Sequence, residues 1–352
     1  MRRVRKGLVH TAGLAGRRAR SLHAKHFQID TLSQQKEVSQ VRATPIPVVS
    51  VSPVVLTVPG RVVDLQLRIS APRTGLALPI ILLSHGHGGS NNLSSLNGYG
   101  PLAQYWAAHG FVVIQPTHLD STTLSQNSRL ATAPESPLFW RSRVLDIQRI
   151  LDQLAVLEAA VPEIAGRLDH DRVAVVGHSM GGHTAGMLLG AQLTEADGTR
   201  VNLAELRIKA GALLAAPGNG GADLSAFATA HYPFFLHPNF APMTTPALVV
   251  MGDKDVSPHL TVRGADWYAD PYVLSNGPKS LLTLFGGGHL LGGVSGYDAK
   301  ETTDENPERV ALVAQLTAAY LRSVLYPEDP AWATACAALQ ASPQPLGRVE
   351  NK

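Results

Sequence analysis

Six short, almost uninterrupted apolar runs, with helix-like segments between them, constrain this chain more than any other feature. The runs are IILLSH (80–85), FVVIQPT (111–117), RVAVVGH (172–178), IKAGALLAA (208–216), ALVVMGD (247–253) and SLLTLF (280–285). Apolar stretches of this length without polar alternation suit strands buried on both faces. The segments between them include PLAQYWAAHG, with Pro101 at its start and Gly110 at its end, and the stretches 136–158, 180–193 and 307–325, all with helical character. Strand and helix alternating in this way predict a parallel sheet with helices on both faces. Two earlier stretches, VVSVSPVVLTVP (48–59) and VVDLQLRIS (62–70), alternate instead, as an antiparallel pair with one wet face does. The expected class is α/β, with a mostly parallel eight-stranded sheet and antiparallel first strands.

At 352 residues, with 45% apolar and 16% charged residues, the composition is that of a globular protein. No internal repeat or low-complexity linker interrupts it. The reading is therefore one catalytic domain from 48 to 326, preceded by a basic, disordered extension (1–47) and followed by a loosely attached tail (327–352). No run approaches the roughly 18 apolar residues of a membrane span. The net charge of +3 suggests an anionic partner until its distribution is followed. Eight of the 30 Lys and Arg, and no acid, fall within residues 1–26, which leaves 22 bases against 27 acids in the rest. Nucleic acid is thereby excluded as a partner, because the basic residues are not on the folded part. The basic head has the Arg-rich, acid-poor character of a transit peptide and lacks a secretory apolar region. A cytoplasmic location is expected, with organellar targeting as the alternative; oligomeric state is left open. Cys336 is the only cysteine, so no intrachain disulfide forms.

Three connections, 116–136, 216–246 and 286–304, are too long to be mere links, and all leave the carboxyl ends of predicted strands, the ligand-binding edge of an open α/β sheet. The chemistry lies at the same edge. Gly177-His178-Ser179-Met180-Gly181 has the G-x-S-x-G spacing that displays a serine on a sharp strand-to-helix turn, and it follows a strand and precedes a helix. The flanking glycines leave room for a turn in which Ser179 takes strained backbone angles. The alternative is a glycine-rich turn whose serine is only an N-cap. A nucleophilic serine needs a base, an orienting acid and two N–H donors for the oxyanion. The donors are assigned to Met180, first in the following helix, and to His87, in the glycine-rich turn of LLSHGHGGS (82–90). His85 and His87 also suggest a metal pair, but the HxHxDH continuation of a metallohydrolase is absent, so neither metal nor cofactor is expected.

Chain order points to His289 in LTLFGGGHLLGG as the base, since it follows the last predicted strand, whereas His231, His237 and His259 precede it. His178 and His183 flank the serine too closely to serve. The acid is Asp253 or Asp255 in VVMGDKDVSPH, with Asp255 preferred because it clears the strand end and Asp253 caps the turn. Aromatic residues in SPLFWRSR (136–143), HYPFFLHPNF (231–240) and LLGGVSGY (290–297) suggest an apolar wall, for which His178, Phe139, Trp140 and Leu290 are the candidates. Phe139 and Trp140 equally suit the start of a buried helix.

The motifs SHGHGGS, GHSMGGHTAG, GDKDVSP and GGGH, in this order, resemble the esterases of the α/β-hydrolase superfamily, in the branch that holds chlorophyllase-like, platelet-activating-factor-acetylhydrolase-like and dienelactone-hydrolase-like enzymes. The resemblance spans roughly 48 to 325. It implies the α/β-hydrolase fold and a serine carboxylic-ester hydrolase or lipase acting through Ser179, His289 and Asp255 on a small or lipid-like apolar ester. An acyltransferase or perhydrolase using the same residues, or a non-catalytic binding member of the fold, is the alternative.

Overall fold

The computed structural model describes residues 44–133, 135–195, 197–296 and 299–352. Its strands are β1 (Val48–Leu56), β2 (Leu65–Pro72), β3 (Leu78–Ser84), β4 (Val112–Pro116), β5 (Leu168–His178), β6 (Gln192–Thr194), β7 (Arg200–Asn202), β8 (Ile208–Leu214), β9 (Pro238–Asn239), β10 (Ala247–Gly252), β11 (Lys279–Leu284) and β12 (Gly347–Asn351). The helices longer than a single turn are α1 (Gly100–Ala108), α2 (Trp140–Asp152), α3 (Leu154–Ala160), α4 (Met180–Leu188), α5 (Ala226–His231), α6 (Pro307–Leu325) and α7 (Ala331–Ala341).

The described residues build one nine-stranded sheet in the order β1-β2-β4-β3-β5-β8-β10-β11-β12, with β7-β6-β9 as a small separate sheet. From β4 through β11 all neighbours in the large sheet are parallel. The pairs β1–β2 and β2–β4 are antiparallel, as the alternating pattern of the first strands requires. The central strands show why their sequences do not alternate. Ile80, Leu82, Val173 and Val175 point into a core with Val144 and Ile147 of α2 and Met187 of α4. Ile81, Leu83, Ala174 and Val176 point into another with Leu102 and Trp106 of α1 and Val313 and Leu321 of α6. Both faces are covered, so every position must be apolar.

The chain passes from β3 to β4 on one side and to β5 on the other. A crevice therefore opens at the carboxyl ends of β3 and β5, where Ser84 lies opposite Gly177. Sequence motifs for the turn after β3 and for the serine meet at this crevice.

Three expectations are corrected. The large sheet has nine strands rather than eight, because the segment read as a loose tail contributes one: β12 pairs antiparallel with β11, and α7 packs on α6. The described residues are accordingly one compact unit. The tail looked unattached because most of its apolar residues are alanines, and the bonds that hold β12 are mostly main-chain. The helix read at 180–193 stops at Leu188, since Gly190 turns at a φ of 110° and the chain continues into β6. The helix read at 136–158 begins only at Trp140, after Phe139 with a φ of 48°, and divides at Gln153. The extension read at 1–47 lies, up to residue 43, outside the described residues. Among the described residues, no helix is long and apolar enough to cross a membrane.

Because β12 covers the edge of β11, deletion of residues 343–352 is expected to leave that edge unpaired. Thermal unfolding followed by light scattering should then show a lower midpoint and earlier aggregation than the full chain; an unchanged profile would contradict the role given to β12.

Candidate active site

Ser179 sits between the last residue of β5 and the first of α4, with φ 54° and ψ −118°. A non-glycine residue in this region costs on the order of 1–3 kcal/mol, and the surroundings must hold it there. They do so by contact. A Cβ on Gly177 would lie 1.9 Å from the Gly181 carbonyl oxygen, and one on Gly181 would lie 2.0 Å from the Ser84 carbonyl oxygen. On Gly182 it would meet the Ala216 Cβ at 2.6 Å. Only hydrogen fits at these positions, so the glycines set how closely α4 approaches β3 and β5. The Ser179 N–H donates to the Leu214 carbonyl at 2.8 Å and fixes the turn to β8.

The structure brings Ser179, His289 and Asp255 together. The Ser179 hydroxyl donates to His289 Nε2 at 2.8 Å, and His289 Nδ1–H donates to Asp255 Oδ2 at 2.8 Å. Asp255 is buried and the His289 ring is 29% exposed. Asp253 is elsewhere: its Oδ1 accepts the Gly286 N–H at 2.8 Å and ties the turn after β10 to the exit of β11. The loop that carries His289 is held on both sides. Asp304 Oδ2 accepts the N–H groups of Gly288 and Gly292, at 2.8 and 2.9 Å, and pairs with Arg309 at 3.1 Å.

His178, a candidate for the substrate wall, lies behind the site. It is fully buried; its Nε2–H donates to the His289 carbonyl at 2.7 Å, and its Nδ1 accepts from the Tyr99 hydroxyl at 3.0 Å. The Gly86 N–H in turn donates to Tyr99 Oη at 2.9 Å. One chain of hydrogen bonds thus runs from the turn after β3, through Tyr99 and His178, to the main chain of His289. The next amide after Gly86, that of His87, has no acceptor among the described residues, and neither has that of Met180. Tyr99 and Asp304 were missed in the sequence because neither belongs to a motif; only spatial proximity gives them a part.

A cavity of about 360 Å³ opens beside Ser179 and His289. Leu290 lines it, together with Leu93, Leu138, Met180, Tyr232, Phe235 and Leu260. The other wall candidates are corrected. His178 is behind the site, Phe139 packs with Leu119 and Leu130, and Trp140 stacks on Phe234 at 5.8 Å between ring centres. The segments named in the sequence do reach the cavity, but through Leu138, Tyr232 and Phe235, because the turn at Phe139 points its ring away.

A second Ser–His–Asp grouping lies beneath the turn after β3. Ser84 Oγ is 3.0 Å from His118 Nε2, and His118 Nδ1 is 3.1 Å from Asp146 Oδ2. All three residues are fully buried, and Arg61 pairs with Asp146. No substrate reaches it. His85 is also committed: its Nδ1 is 2.6 Å from the Gly86 carbonyl, and its Nε2 accepts the His118 N–H. Among the described residues, no group of three or more His, Cys, Asp or Glu is placed to hold a metal ion.

The fold and this site define an α/β-hydrolase. The chlorophyllase family matches residues 43–213, from the entry to β1 through the Ser179 turn to β8, and the chain is a chlorophyllase-like member of the α/β-hydrolase superfamily. The family implies a carboxylic-ester hydrolase. No curated protein matches the chain.

Buried imidazoles make this assembly sensitive to acid. Burial, with His289 nearby, pushes His178 down to about 3, and burial, with Arg143 nearby, does the same for His183. Neither ring nitrogen of His183 has a partner among its aromatic neighbours Trp140, Phe234 and Phe235. In the unfolded chain both histidines titrate near 6.5, so below that pH the unfolded state takes up protons that the folded state refuses. The stability is complete above about pH 6.5 and falls as pH falls, by about 5 kcal/mol for the two groups at pH 4.5. Burial lowers His85 and His118 as well, so urea midpoints at pH 7 and 4.5 should show a loss larger than these two groups supply, of which His183→Met should remove roughly 2–3 kcal/mol.

Proposed function

We propose that the protein is a serine carboxylic-ester hydrolase in which Ser179 is the nucleophile, His289 the general base and Asp255 the residue that orients it. The observation that carries this reading is the unbroken pair of 2.8 Å hydrogen bonds from the Ser179 hydroxyl through His289 to Asp255, at the mouth of an apolar cavity. With Nδ1–H donated to Asp255, His289 Nε2 offers its lone pair to the serine proton. Ser179 Oγ attacks the ester carbonyl as that proton moves to Nε2. The oxyanion is held by the N–H groups of His87 and Met180, which lack other acceptors and stand on the two turns flanking Ser179. His289 then gives the proton to the leaving alcohol, and the acyl group stays on Ser179 as an ester. Water, deprotonated by the same Nε2, releases the acid and restores the hydroxyl.

The cavity supports a substrate with a compact apolar part. At roughly 30 Å³ for each water-sized atom, 360 Å³ holds about a dozen heavy atoms. Lipid-like esters fit if the longer chain extends past Val256, which lines the opening and is 64% exposed.

A fluorophosphonate probe should label the protein, peptide mapping should find the adduct on Ser179, and Ser179→Ala should abolish both labelling and ester hydrolysis. Labelling that persists in Ser179→Ala would refute the assignment. Asp255→Asn is expected to lower kcat roughly a thousandfold or more, because it permits the wrong imidazole tautomer, whereas Asp253→Asn should stay near wild type. Equal losses in the two variants would reassign the acid.

A further inference from the structure

The proposed reaction uses the main chain of His87 and leaves its imidazole without a task, yet that ring is anchored by a buried ion pair. His87 Nδ1 lies 3.0 Å from Asp120 Oδ2, in the loop after β4. The same oxygen lies 3.1 Å from Arg143 Nη2 of α2, and neither the Asp120 nor the Arg143 side chain is accessible to solvent. Burial by itself raises the Asp120 carboxyl, but the Arg143 guanidinium and the His87 hydrogen bond outweigh it, and the carboxyl stays well below the usual range. An ionised carboxylate only accepts, so the imidazole proton is on Nδ1. In the neutral imidazole Nε2 then carries a lone pair, and it has no partner among the described residues. The side chain is 37% exposed and lines the same cavity as Ser179 and His289.

While the ring is neutral, it cannot turn its acceptor into a donor without breaking the bond to Asp120. Its surroundings in the wall include Leu93, Leu138, Phe235 and Leu290, which offer it no hydrogen bond. Glu301, beside the adjacent Gly88, accepts the Ser90 N–H through Oε1 at 2.7 Å, and its Oε2 is inaccessible. Tyr232, Ser257 and His259 also line the cavity, but an unpartnered acceptor beside apolar side chains discriminates strongly. A substrate without a donor strips water from Nε2 and leaves it unpaired, whereas a substrate with one restores the bond.

We propose that His87 Nε2 is a specificity site that accepts a hydrogen bond from a hydroxyl of the substrate, so that the preferred esters carry a free hydroxyl within a few atoms of the scissile carbonyl. The inference rests on the esterase reading and deepens it, since the carbonyl oxygen bound by the His87 N–H lies within reach of the same residue's side chain. Asp120 and Arg143 are positioning residues that fix the tautomer and the direction of the ring.

The test uses matched ester pairs that differ only in hydroxyl groups. On the acyl side, ethyl 3-hydroxybutanoate is compared with ethyl butanoate; on the alcohol side, 2,3-dihydroxypropyl butanoate is compared with propyl butanoate. The readout is the ratio of kcat/KM within each pair, so that a general loss of rate in a variant cancels. The wild-type protein should prefer the hydroxylated member about tenfold on one of the two arms. The ratio should fall toward one both in His87→Leu and in Asp120→Asn, which frees the ring to change tautomer. Should Asp120→Asn fail to fold because Arg143 loses this carboxylate, His87→Leu still decides. Ratios near one on both arms, or a preference that survives in His87→Leu, would overturn the inference. The same pairs titrated calorimetrically against Ser179→Ala read the preference without turnover. Preference in binding without turnover by the wild type would sink the esterase reading alone, and turnover without preference would sink this one alone.

Discussion

The contact on which the site depends most is between two main chains. The carbonyl of Ser84, at the end of β3, lies where a Cβ on Gly181 would be, with 2.0 Å between them. This contact seats the first turn of α4 on the end of β3. It puts the amides of Met180 and His87 on the two sides of one crevice, and it holds Ser179 at a φ that it would not adopt alone. The sheet order makes the contact available, because β3 and β5 are neighbours whose helices leave on opposite faces. The glycines let it close.

Around that contact the structure places three separate restraints on the His289 loop, each acting on a different group of the loop. Asp304 receives the amides on both sides of the imidazole, Asp255 receives its Nδ1–H, and His178 grips its carbonyl. The last restraint reaches the turn after β3 through Tyr99, so the loop that carries the imidazole and the turn that carries the free His87 amide hang on a single buried chain of hydrogen bonds. Displacement of either one strains the other. Preorganisation of this kind is what a site needs when the charge develops only in the transition state.

Much of this was legible in the sequence, for reasons that are local. The central strands were readable because burial on both faces removes polar residues altogether. The turn at Ser179 was readable because only glycine fits at 177 and 181. The meeting of Asp255, rather than Asp253, with His289 followed from how far each residue stands beyond the end of β10. What was not legible depends on long-range packing. β12 has few large apolar residues and is held through main-chain bonds to β11. Phe139 and Trp140 lie in a segment that does reach the cavity, but a single left-handed residue turns both rings away and leaves Leu138 in the wall. Tyr99, Asp304 and Asp120 carry no motif, because a hydrogen bond between distant residues imposes no spacing on the chain.

The two Ser–His–Asp groupings make a comparison within one molecule. In each, a serine hydroxyl lies near an imidazole Nε2 and a carboxylate near Nδ1, at distances that differ by at most 0.3 Å between the groupings. Connectivity therefore does not by itself single out the serine proposed as the nucleophile. Ser84 belongs to an extended strand, fully buried, with its partners stacked beneath the turn after β3 and Asp146 neutralised by Arg61. Ser179 stands at a strained corner with a cavity on one side and two unengaged amides within the surrounding turns. The inner grouping binds the turn after β3 to β4 and α2, and so fixes the bed on which the outer one rests. The chemistry follows from access and unfilled hydrogen-bond donors, and the same three side chains without them become part of the core.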